Sequence, residues 1–77
     1  MNDKRRKQLK SLKKELIELR NSLSDLYLEE SESFENLTLG LQCSARGQSI
    51  EMCVQQLRDA VSYLDDVEEF IDILIYS

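Results

Sequence analysis

Leu9, Leu12, Leu16, Leu19, Leu23 and Leu26 follow one another in alternating steps of three and four. That spacing repeats every seven residues and holds one narrow apolar stripe along a helix. The second half obeys the same rule with Ile50, Cys53, Leu57, Ala60, Leu64, Val67, Ile71 and Leu74. Val54, Val61 and Ile75 widen this second stripe. A half-buried strand would need apolar residues two apart, and neither half has that pattern. There is no proline, and glycine occurs only at positions 40 and 47. Nothing therefore interrupts either segment, and the spacing predicts two long helices joined by one bend.

A reversal near residue 40 would oppose positions whose numbers add to about 80. Leu16 then meets Leu64, Leu19 meets Val61, Leu23 meets Leu57, Leu26 meets Val54 and Leu9 meets Ile71. The expected fold is all-α: a long antiparallel helical hairpin, coiled-coil-like, forming a single domain over residues 1–77. Helix 1 is expected over about residues 3–36, the bend over 37–43 and helix 2 over about 44–76. Near the bend, Glu30 and Ser33 take the next stripe positions, while Tyr27, Phe34 and Leu37 carry the apolar line one step round.

Charge supports the same topology independently. Residues 1–20 hold eight basic and three acidic side chains, and residues 21–77 hold two basic and twelve acidic. In a hairpin the basic start of helix 1 lies beside Asp59, Asp65, Asp66, Glu68, Glu69 and Asp72. Exposed ion pairs contribute only ~0.2–1 kcal/mol each, so they select orientation more than they stabilise.

A 77-residue chain has a marginal core unless something supplements it. Two cysteines, Cys43 and Cys53, and no histidine exclude a disulfide framework and a closed zinc site, which needs four ligands. The remaining stabiliser is another chain. Tyr63, Phe70, Ile73 and Tyr76 lie off the helix 2 stripe, as Ile17 and Leu28 do on helix 1. The first four are the expected oligomer surface, with two hairpins pairing into a four-helix bundle. The expected partner is a second copy or another helical protein.

No catalytic, cofactor-binding or metal-binding residues are expected. Histidine is absent, as are a phosphate-binding glycine loop and a nucleophile elbow. No apolar run approaches the ~20 residues that span a bilayer, no targeting signal is visible, and a cytoplasmic protein with reduced thiols is expected. The basic arm "KRRKQLKSLKK" is the alternative site, as a nucleic-acid contact. It lacks aromatic residues for stacking and has acidic residues across the hairpin, so nucleic acid is not the expected partner. The acidic faces offer a related alternative, imitation of nucleic acid to block a DNA-binding protein.

The bend is the most particular segment. Gly40 can supply the positive φ of a reversal. Ser44 is a candidate N-cap, which puts Gly47 at the third helical position, where glycine costs ~1 kcal/mol against alanine. That cost points to a close approach by the Phe34 ring or the helix 1 backbone. Arg46 is within reach of Glu30 or Glu35, and Asn36, Gln42, Ser44 and Arg46 are expected to tie the bend down. Phe34-Glu35-Asn36-Leu37, then Leu41-Gln42-Cys43-Ser44-Ala45-Arg46-Gly47-Gln48 and Met52, resemble the "FDNLPESLQxSERGExME" stretch of short acidic two-helix proteins from Gram-positive bacteria and their phages. Thr38, Leu39 and Gly40 depart from that pattern, as does Ala45. The resemblance implies a two-helix fold and a mobile-element origin, and implies no activity.

Overall fold

A computed structural model describes residues 1–77. Helix α1 runs from Asp3 to Glu35, a short helix α2 from Leu39 to Gln42, and α3 from Ala45 to Ile75. There is no strand. The long helices lie antiparallel in a rod of 58 × 15 × 13 Å.

Each helix start is capped by a side-chain oxygen, which satisfies one of the backbone N–H groups left without a partner. Asn2 Oδ1 accepts from the Arg5 N–H at 2.8 Å. Thr38 Oγ1 accepts from the Leu41 N–H at 3.4 Å, and Ser44 Oγ from the Gly47 N–H at 3.2 Å. Helix α1 stops without a glycine. Asn36 keeps a right-handed φ of −77°, and the Leu37 N–H closes a tight last turn on the Phe34 carbonyl at 3.1 Å.

The seam between the long helices is not the leucine stripe of the sequence. On α1 the inward positions include Leu9, Lys13, Leu16, Arg20, Leu23, Tyr27, Glu30 and Phe34, and Leu37 continues the row just past the helix end. Those steps alternate four and three without a break. On α3 the inward positions include Ile50, Val54, Leu57, Val61, Leu64, Glu68, Ile71 and Ile75, with Ala60 and Asp72 half-covered beside them. Both helices are turned by about 50°, one heptad position, from the expected facing. The apparent shift of the apolar line near the bend is therefore no shift. Tyr27, Phe34 and Leu37 continue a seam whose other members include two cations.

The register differs too. Arg6 Nη2 donates to the Ser77 carbonyl at 2.7 Å, Lys13 pairs with Asp72 at 2.6 Å, and Arg20 pairs with Asp65 at 2.9 Å and with Glu68. These partners have numbers adding to 83–88 rather than 80, because α2 lengthens the bend on the helix 2 side. Leu19 and Leu26, expected opposite Val61 and Val54, instead lie on the outside, 53% and 50% exposed.

Arg20 is the central polar layer, about three-quarters covered and shared between two carboxylates of α3. Replacing it with alanine leaves Glu68, itself about three-quarters covered, without its cation. The expected loss is about 1–2 kcal/mol, read from the denaturant midpoint at fixed protein concentration. Replacing Arg20 and Glu68 together with leucine is expected to restore that stability or exceed it, since an apolar pair of similar volume carries no desolvation cost. A double variant no more stable than Arg20→Ala would refute this account of the layer.

Candidate interaction surface

Only Gly47 and Ile75 are buried. The inward rows are half-covered, so the two-helix rod has almost no core of its own. The displaced halves of the two leucine stripes account for much of the exposed apolar surface.

Leu12, Leu19 and Leu26 flank the α1 seam at intervals of seven and so share one direction. Cys53, Ala60, Val67 and Leu74 hold the equivalent flank of α3. Equivalent flanks of antiparallel helices lie on the same side of the pair. One surface groove joins the two flanks, lined by Met1, Arg5, Gln8, Leu9, Leu12 and Leu74; a second, lined by Leu26, Glu29, Glu30, Ser33 and Leu57, sets the α1 flank beside a seam residue of α3. The opposite side carries the Lys13–Asp72 and Arg20–Asp65 pairs. One side of the rod thus carries the two apolar flanks, with Arg5 toward one end and Glu29 and Glu30 toward the other, and the opposite side carries the ion pairs.

Helix α3 carries a complete second heptad row on the apolar side: Ala60, Tyr63, Val67, Phe70 and Leu74, in steps of three and four. Tyr63 and Phe70 belong to it, and they are 69% and 66% exposed. Ile73 lies at its edge. Tyr76 points roughly 130° away from it, at 100° per residue, and is exposed on another side. Leu28 is likewise exposed away from this face, and Ile17 is half-covered on the ionic side.

The bend is held by backbone and amide contacts. Gln42 Nε2 donates to the Phe34 and Leu37 carbonyls, each at 3.2 Å, and joins α2 to the end of α1. Ser44 Oγ donates to the Leu41 carbonyl while it caps α3. A Cβ on Gly47 would lie 2.5 Å from the Gln42 carbonyl oxygen and would also overlap that of Leu41. The close approach is therefore made by α2, and neither the Phe34 ring nor the α1 backbone is among the nearest atoms. No residue has a positive φ, so Gly40 does not provide a left-handed turn. It sits inside α2 with open space around it. The chain reverses through right-handed caps at Asn36 and Cys43 followed by extended Thr38 and Ser44. Arg46 is exposed and makes no ion pair with Glu30 or Glu35, and the Asn36 side chain makes no hydrogen bond.

On the ionic side, Lys13 is held above its ordinary value of 10.5. The hydrogen bond to Asp72 is the main cause. Partial desolvation opposes it, and the charges of Asp72, Glu68 and Tyr76 add to it. A raised lysine stabilises the fold fully below the unfolded value and loses that contribution as pH rises through the folded one. The wild type should therefore lose more stability than Lys13→Met as pH rises past 10.5. Denaturant midpoints from pH 8 upward test this, and parallel curves for the two proteins would contradict it.

No three His, Cys, Asp or Glu side chains converge as metal ligands, and no helix is long and apolar enough to cross a membrane. Cys43 and Cys53 are free and exposed. Comparison with known proteins yields no match: no family model fits the chain, and no curated protein and no solved structure is similar to it.

Proposed function

We propose that this chain is a non-enzymatic helical interaction module that works by packing its apolar side against helices from outside itself. The observation that carries this reading is the second heptad row on α3 beside Leu12, Leu19 and Leu26. A row at that spacing fits a neighbouring helix, and exposed apolar surface of this extent favours association. Two hairpins joined in this way make a four-helix bundle, and a homodimer is the simplest product. A cytoplasmic setting suits the free thiols. An origin in phages or other mobile elements rests on the bend sequence alone.

Light scattering on the purified chain at micromolar concentration tests the reading. A mass above one chain supports it. A monomer that melts in one sharp cooperative transition would overturn it, because such a hairpin needs no cover.

A second reading has one specific observation in its favour. Lys4, Arg5, Lys7, Lys10 and Lys14 are exposed and make no ion pair, so the basic arm keeps charge to offer a phosphate backbone. This reading requires a mobility shift of DNA or RNA at low salt that disappears as salt rises. The absence of a shift at low salt removes it.

A further inference from the structure

We infer that the helices covering the apolar side belong to a second copy of this chain, laid antiparallel so that the two bends lie at opposite ends. The inference rests on the interaction-module reading above and adds the partner and its orientation. The rod is 58 Å long and 13–15 Å across, so a second copy laid along most of one side can cover on the order of the roughly 800 Å² per partner of a stable dimer.

Its two grooves are complementary to each other. Leu12 and Leu26 lie two heptads apart, so the grooves they line open on the same side. One groove carries Arg5, and the other carries Glu29 and Glu30. A two-fold axis crossing the face at Leu19 sets Leu12 over Leu26 of the second copy. It also sets Arg5 over Ser33 of that copy, about one helical turn from Glu29 and Glu30 and within reach of a long arginine side chain, in both halves of the bundle. With the bends together, each acidic groove would meet its own equivalent.

The overall charge favours the same choice. The open half of the hairpin, residues 1–20 with 60–77, has no net charge, and the bend half, residues 21–59, carries −5. Bends together would concentrate −10 at one end, whereas bends apart leave −5 at each. Self-repulsion therefore disfavours the parallel dimer.

The charges along α1 also run against its own dipole. The helix begins with a basic cluster and ends with Glu29, Glu30, Glu32 and Glu35, where the reverse order stabilises an isolated helix. An antiparallel copy places the basic start of each α1 on the acidic end of the other and so offsets that cost.

The test is a distance between bends. In a Cys53→Ser variant the remaining thiol, Cys43, is exposed in the bend and takes a nitroxide spin label. Pulsed electron spin resonance on the labelled chain reads the spacing, and light scattering on that sample and on the unsubstituted chain reads the mass, because Cys53 itself lies on the apolar side. The inference expects a dimer with labels on the order of 60 Å apart, from about 20 residues at 1.5 Å rise on each side of the axis. A dimer with labels closer than about 25 Å would overturn the orientation and leave the interaction module standing. A monomeric unsubstituted chain would overturn the second copy, and if it also melts cooperatively the module reading fails with it.

Discussion

Replacing Gly47 with alanine will destabilise the hairpin by about 1–3 kcal/mol, although the same change in an unconstrained helix would stabilise it by roughly 1 kcal/mol. The added methyl would meet the Leu41 and Gln42 carbonyl oxygens. These are backbone atoms held by the α2 turn and by the Gln42 and Ser44 hydrogen bonds, so no side chain can swing away to relieve the overlap. Gly40→Ala should have the opposite sign. Its φ is not positive and nothing lies within 4 Å of the new Cβ, so the gain in a helical turn is about 0.4–1 kcal/mol. Thermal or urea denaturation of the two variants at equal protein concentration measures both. Equal and same-signed shifts would show that α2 does not clasp the start of α3.

A Leu19→Glu, Phe70→Glu double variant should be monomeric under conditions where the parent associates. Both side chains are exposed in the single hairpin, so neither change removes a seam contact. Covering one such side chain contributes ~1.5–3 kcal/mol, and a two-fold interface counts every site twice. The dissociation constant should rise by at least about 1,000-fold, and the carboxylates add repulsion across the axis. Tyr76→Ser lies outside the apolar row and should shift it less than about 5-fold. Sedimentation or light scattering across a dilution series decides between them. A double variant that stays associated would place the interface elsewhere.

The two helices and the polarity of the hairpin could be read from the spacing of apolar residues and from the charge segregation. The rotation of each helix could not. Leu12, Leu19 and Leu26 suit a seam as well as Lys13, Arg20 and Tyr27 do by position, and better by chemistry. Apolar periodicity favours the leucines. The observed facing follows instead from pairing Arg20 with Asp65 and Glu68, and from the seat of Gly47 against α2. Both depend on residues far apart in sequence, or on a backbone path that composition does not encode. The signal that was present, an unbroken row from Leu9 through Arg20 to Leu37, is hidden because long cationic side chains read as surface. Helix α2 was hidden for a related reason. Leu-Gly-Leu-Gln carries no helical period, and only Thr38 as a cap announces it.

The clasp at Gly47 also settles an ambiguity. Helix α3 has two apolar rows about 100° apart, one running from Ile50 to Ile75 and one from Ala60 to Leu74, and either would make an acceptable hairpin seam. Two nearly equivalent facings are a recipe for a degenerate ground state, in which the rod interconverts between rotational isomers and presents a different outer side in each. Seating the first turn of α3 on the α2 carbonyls fixes its angle before the rest of the helix is packed. A chain whose clasp is broken should therefore show doubled backbone amide resonances along α3 as well as weaker binding. On this view the bend is a phase lock, deciding which of two similar rows is kept for the inside and which is offered to a neighbour.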